Sequence, residues 1–258
     1  MSEQKDASMP EQPLISHLIE LRNRLLKSFL VILVLFCSLY AFSNDLYLIM
    51  SAPLEKLLPD SSNMIATGVA SPFLVPFKLT LIAAVFLAIP FILHQAWSFI
   101  APGLYRHEKK FGIPLLLSSI VLFYAGVCFA YFVVLPLVFG FFTAIGPEGV
   151  SFLPDINNIL NFTLKIFMAF GLAFEIPIAT YLMIQTGITT VESLSQKRPY
   201  IFVGCFVIGM LVTPPDVISQ TILAVPMWLL FEVGLIMGRL SGKKNESEAQ
   251  TEAEEYNE

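Results

Sequence analysis

Glu20, Glu108, Glu175, Asp216 and Gln220 are polar residues set in or beside long apolar runs. The chemistry open to them is cation or proton binding and polar contact between helices, not bond-making. Glu175 is the most isolated. Its nearest charge along the same run is Lys165, about ten residues away, or roughly 15 Å of helix. A carboxylate at bilayer depth costs about 2.5–3.5 kcal/mol on insertion scales, so it should face a cavity or a partner, or be protonated and hydrogen-bonded between helices. Gln220 is a neutral version of the same case. Asp216 follows Pro214-Pro215 and could simply be the N-cap of the last helix.

Glu20 lies in a different setting. Leu14, Leu18, Leu21 and Leu25 form one apolar stripe, with His17, Glu20, Arg24 and Lys27 opposite, which reads as an interfacial amphipathic helix. There Glu20 either pairs with Arg24 at i,i+4, worth roughly 0.2–0.5 kcal/mol, or accepts an outside cation. Glu108 ends the aromatic-rich segment that starts at Phe99. It is either screened by Arg106 and Lys109 in an ordinary membrane-surface belt, or part of a docking site for a cationic ligand.

Enzyme signatures are absent: no GxSxG, no phosphate loop and no nucleotide site. His107-Glu108-Lys109-Lys110-Phe111 begins like HExxH but lacks the second His. Cys37, Cys128 and Cys205 each sit in an apolar run without metal-ligand or redox spacing, so no metal or cofactor is expected. The N-x-S/T matches at Asn161 and Asn245 are chance. The polar start, with Glu3, Asp6 and Glu11, is not a signal peptide.

The elements that must position these residues are membrane helices. Hydrophobic residues make up 56% and charged residues 14%, against roughly 45–50% and about 25% in soluble domains. Mean hydropathy is +0.74. The net charge of −5 is set by six Glu in 242–258; without them fourteen acids face fifteen bases. The charges delimit six spans, at 28–44, about 76–97, about 111–135, about 159–185, about 199–212 and about 217–238. Pro136 is expected to end or kink the third span and Gly187 to stop the fourth. The fifth has only about 13 or 14 residues, roughly 20 Å against a hydrocarbon core of about 30 Å, so the bilayer should thin beside it or the hairpin should sit off-centre.

With six spans, twelve of the fifteen bases fall on one side and only Lys56, Lys78 and Lys165 on the other, which places both termini in the cytoplasm. The expected organisation is an unstructured 1–13, a six-helix membrane domain over 14–241 and an unstructured acidic tail over 242–258. Loops are expected outside over 44–75 and 136–158, and inside over 98–110 and 187–198. Gly234 and Gly238 match GxxxG, weak evidence of close helix packing. No internal repeat supports an inverted-repeat transporter.

Several segments together carry a resemblance. They are His17-Leu18-Ile19-Glu20-Leu21-Arg22, Ser71-Pro72-Phe73, the run from Phe99 to Tyr105 with His107-Glu108, and Phe123-Tyr124-Ala125-Gly126. The runs from Met168 to Pro177, from Lys197 to Tyr200, and from Gly209 to Asp216 with Ser219-Gln220-Thr221 complete the set. In this order, over about 13–240, the chain resembles the TatC family, the core subunits of the twin-arginine protein translocase. The resemblance implies an all-α six-helix protein of the bacterial inner membrane that is not an enzyme. Its implied work is to bind signal peptides carrying consecutive arginines and help move folded proteins, driven by the proton gradient.

The resemblance also implies site residues. Glu20, Arg22, Phe99 and Glu108 fall at the signal-peptide site; a guanidinium fork suits a carboxylate in a way lysine cannot copy. Pro53 and Phe73 match outer-loop positions tied to assembly and transport. Glu175, Asp216 and Gln220 match intramembrane positions linked to partner contacts. Implied partners are the single-span subunits TatB and TatA, further copies of the chain, precursor proteins and membrane lipid, with no nucleic acid. The rivals from the residues alone are a proton-coupled small-solute carrier using Glu175 and an intramembrane enzyme, for which no nucleophile or metal cluster is visible.

Overall fold

The computed structural model describes residues 11–55, 65–100, 112–145, 155–214 and 216–257, and side chains within these over 16–51, 65–99, 112–145, 155–214 and 216–240. Among them there is no strand, only an isolated bridge between Ile65 and Asp155. The helices are α1 (Glu11–Leu39), α2 (Ser43–Glu55), α3 (Ser71–Ile100), α4 (Gly112–Phe129), α5 (Leu135–Ala144), α6 (Ile156–Ala173), α7 (Ile176–Gln185), α8 (Val191–Gln196), α9 (Arg198–Val212) and α10 (Val217–Asn257). A 3-10 turn, Tyr40–Phe42, joins α1 to α2, and a π-helical segment, Ala130–Val134, joins α4 to α5. Five apolar stretches are long enough to cross a membrane: Ser16–Ser51, Ser71–Phe99, Gly112–Ala144, Ile156–Gln185 and Val217–Leu240; α9 is the short sixth.

The spans are where the sequence places them, but several helices run past their expected ends. Asp45 does not end a helix. An acid in the first turn of α2 is favourable at a helix N-terminus, so the chain stays helical to Glu55, inside the expected outer loop. At the other end of that loop α3 starts at Ser71. The third span does not stop at Pro136, which occupies the first turn of α5, where a missing N–H is tolerated. The wider π turn before it carries the helix on to Ala144, and the second outer loop is correspondingly shorter than expected. Tyr131 in this segment donates its hydroxyl to the Ile49 carbonyl of α2 at 2.9 Å.

Span four is interrupted. Pro177 cannot supply the backbone donor that would continue the ladder, and the helix breaks at Phe174 and Glu175 between α6 and α7. Gly187, at φ +72°, ends α7 in the left-handed conformation that suits glycine. At the far end α10 stays helical through Asn257, across the stretch expected to be unstructured. Beyond Gly242 that stretch has no Gly or Pro and is rich in Glu, Ala, Gln and Lys, all good helix formers except for occasional polar residues.

Packing pairs α1 with α3 and α4 with α6, and sets α10 against both α7 and α9. The buried centre holds Phe123, Leu135, Leu160, Ile166, Phe170, Leu223, Met227 and Leu235. The GxxxG pair lies at the α10–α7 seam. A Cβ added at Gly234 would stand 2.9 Å from Thr180 Cβ and 3.0 Å from Pro177 Cα, so glycine sets how closely these helices approach.

Candidate functional site

The first site is built where α1 crosses the end of α3. Arg24, one turn after Glu20, reaches across with its whole guanidinium. Its Nε and Nη2 donate to Glu20 Oε1 at 3.0 and 2.6 Å. Nη1 donates to the side-chain oxygen and carbonyl of Gln95 at 3.2 and 3.4 Å, and Nη2 also to the Ser98 carbonyl at 3.1 Å. Beside this hub the His17 ring stacks on Phe99, with centroids 4.1 Å apart and planes inclined by 20°. A cleft of about 190 Å³, lined by Leu21, Arg24, Leu25, Gln95, Ala96 and Phe99 among others, opens next to it.

The i,i+4 pair expected for Glu20 is therefore present, but it is also part of a junction between two helices. The Glu20 side chain remains 41% exposed. Phe99 is brought to the same place. Arg22 is exposed, and two residues on from Glu20 it lies roughly 200° round the helix, so it points away from this cluster. Glu108 lies outside the described residues, as does the side chain of Pro53. Phe73 stands 65% exposed in the first turn of α3.

Glu175 is at the break between α6 and α7, half-buried, with Ser119 of α4 within hydrogen-bonding reach and a buried Oε1 that has no partner. Asp216 is the cap that its position suggests: Oδ1 accepts the Ser219 amide at 2.7 Å, while its buried Oδ2 has no partner. Gln220 donates its amide to the Phe206 carbonyl of α9 at 3.0 Å, so it closes the α9–α10 hairpin near the turn.

Two groups escaped sequence reasoning. Glu232 of α10 forms an ion pair with Arg198, Oε2 to Nη2 at 2.7 Å. The buried Glu232 Oε1 and Arg198 Nε are left without partners. Simple counting could have found it: Arg198 lies fourteen residues before Val212 and Glu232 fifteen after Val217, so across a tight turn both stand at one depth. The other is Asp155. Its Oδ1 accepts the amides of Asn157 and Asn158, both at 3.0 Å, as the N-cap of α6. Its Oδ2 accepts the hydroxyl and amide of Thr67 at 2.6 and 2.9 Å. These bonds, the Thr67 hydroxyl first, lower its carboxyl to about 2. Among the described residues no group of three or more His, Cys, Asp or Glu is arranged to hold a metal.

The family model for the Sec-independent protein translocase protein TatC matches residues 16–226. The chain belongs to the TatC family. A TatC protein of Azotobacter chroococcum mcd 1 is 59% identical over 228 residues, 88% of this chain and 89% of the relative. The Escherichia coli K12 TatC is 55% identical over 228 residues, 88% of either chain. The crystal structure of a twin-arginine translocase receptor TatC superposes with a TM-score of 0.79 at 38% identity, covering 88% of this chain and 99% of that one. The residues matched by the family model run from α1 into α10 and include the short α9. The family resemblance carried by the sequence segments is thereby established, and with it a role in Sec-independent protein translocation.

Proposed function

We propose that this TatC chain is the receptor for twin-arginine signal peptides in a bacterial inner membrane, with both termini in the cytoplasm and with Glu20, Phe99 and Glu108 taking the arginine pair. The observation that carries this reading is the Arg24–Glu20 contact. Glu20 already accepts two N–H groups of a guanidinium on one oxygen, at a membrane-edge cleft where it stays partly exposed. An incoming arginine replaces or joins Arg24 there, while His17 and Phe99 supply a flat apolar wall beside it. Arg22, exposed on another face of α1, belongs to this proposal as a group at the rim.

The partner contacts follow the same logic. Glu175, with its unpartnered oxygen beside Ser119, and the hairpin residues Asp216 and Gln220 are the proposed intramembrane contact points for single-span subunits of the TatA and TatB kind. Pro53 and Phe73 are proposed to serve assembly at the opposite end from Glu20. The chain makes and breaks no bonds in this scheme, and the proton gradient supplies the energy.

The test is binding of a twin-arginine signal peptide to the purified full chain, against its Lys-Lys variant, with Glu20→Ala and Glu108→Ala in parallel. Loss of one charged hydrogen-bond acceptor weakens binding by about 1.5–3 kcal/mol, roughly tenfold to a hundredfold. Arginine preference that survives both substitutions moves the site elsewhere. Equal binding of the arginine and lysine peptides ends the receptor reading.

A further inference from the structure

A groove of about 430 Å³ opens between α3 and α6, lined by Lys78, Leu81 and Ile82 on one side and Asn161, Leu164, Lys165 and Met168 on the other. Lys78 and Lys165 are two of the three bases that the positive-inside count leaves on the far side from the termini. They now prove to share one cleft. Lys78 Nζ donates to Asn157 Oδ1 at 3.2 Å, and Asn161 donates its amide to the same oxygen at 3.4 Å. Lys165 is exposed. Among the described residues the ion pairs are Arg24–Glu20 and Arg198–Glu232, so neither lysine has a carboxylate partner there.

The order of residues along each wall gives the groove a direction. Starts of α3 and α6 lie at one end of the bundle, tied by the Thr67–Asp155 clasp, so both helices descend from that end. Helical side chains lean toward their own N-terminus, so both ammonium groups lean up toward the water. One turn deeper on the same faces come Leu81 and Ile82 below Lys78, and Met168 below Lys165, about 5 Å further into the membrane. One turn higher than Lys165 is Asn161. The cleft therefore presents two cations and an amide above an apolar floor.

We propose that this groove is a binding site for one anionic phospholipid, its phosphodiester held between Lys78 and Lys165 and its acyl chains lying on Leu81, Ile82, Leu164 and Met168. Two ammonium groups with no carboxylate partner among the described residues attract an anion at the edge of hydrocarbon, and a lipid brings that anion already joined to apolar tails in the order the walls require. A second transmembrane helix, about 10–12 Å across, would need a longer channel and an acid at one fixed height. The site is separate from the Glu20 cleft at the other end of α3, so it stands or falls independently of the receptor reading.

The full chain carrying photoreactive p-benzoylphenylalanine in place of Leu81 is reconstituted in vesicles of equal phosphatidylcholine and phosphatidylglycerol, illuminated and weighed intact. Phosphatidylglycerol adducts should exceed phosphatidylcholine adducts by roughly thirtyfold, as expected for two lysines facing one anionic headgroup. Lys165→Gln, which breaks none of the bonds described, should lower that ratio to about fivefold, and the Lys78→Gln/Lys165→Gln pair to parity. Lys165→Arg should keep it. Equal labelling of the two lipids, a preference untouched by Lys165→Gln, displacement of the lipid by inorganic phosphate, or a polypeptide adduct in membranes containing the whole translocase would each overturn the proposal.

Discussion

Removing either partner of the Arg198–Glu232 pair should destabilise the protein, and by unequal amounts. Stranding one charge of a buried pair costs about 3–5 kcal/mol, while exposed pairs are worth about 0–1 kcal/mol. The two side chains here fall between these limits, Arg198 at 39% exposure and Glu232 at 20%. In Glu232→Ala the arginine is left behind; its Nε is buried too, but the longer and more exposed side chain can turn toward water, so the loss should be about 1–2 kcal/mol. In Arg198→Ala the carboxylate remains, with its Oε1 already buried and unpartnered, and the loss should be about 3 kcal/mol. Replacing both by leucine removes the stranded charge altogether and should cost under about 1 kcal/mol. Reversible unfolding in mixed micelles with rising detergent fraction measures all three. Equal losses in the single variants, or a double variant whose loss is their sum, would refute the reasoning that burial of the surviving charge sets the effect.

Other consequences are as direct. The Asp155 carboxyl should titrate at about 2, not near the ordinary 3.8, followed by its carboxyl carbon resonance. Because its folded value is lowered, the stability it adds is complete above about pH 4 and is lost as pH falls through about 2. Asp155→Asn should therefore free the Thr67 amide already at neutral pH, seen as faster hydrogen exchange. Gly234→Val should cost about 1–3 kcal/mol by forcing α10 off α7, since the new Cβ meets Pro177 backbone as well as Thr180, and thermal unfolding reports it.

The number of spans was legible because apolar runs between charges are long and the bases fall on one side. Helix ends were less so, because a charge or a proline marks a boundary only when nothing local compensates. Asp45 suits the start of α2, and the π turn carries the chain through Pro136, whereas at Pro177 no such turn intervenes and the helix breaks beside Glu175. Side-chain partners followed the same division. The i,i+4 bond of Glu20 to Arg24 and the cap at Asp216 are local and could be read directly. The reach of Arg24 to Gln95 and Ser98 and the Thr67 clasp join residues 71 to 88 apart in sequence, and no pattern of residue types announces them, whereas the Glu232 pair shows only when depth is counted from both sides of the α9–α10 turn.

The short α9 has a consequence for the lipids beside it. Fifteen residues rise about 22 Å, so where the hairpin does not sit off-centre, hydrocarbon about 30 Å thick should compress by roughly 8 Å along that flank. At fractions of a kilocalorie per mole per ångström the strained rim amounts to several kcal/mol, and it behaves as a line tension whose magnitude scales with exposed perimeter. Any neighbour of matching height that covers α9, whether another copy or a single-span helix, shortens that perimeter and is drawn in before a single polar contact forms. The same rim lowers the local thickness that a polar chain has to cross. A feature that looks like a missing turn of helix is thus expected to act on the membrane at large, gathering partners and weakening the barrier in one place.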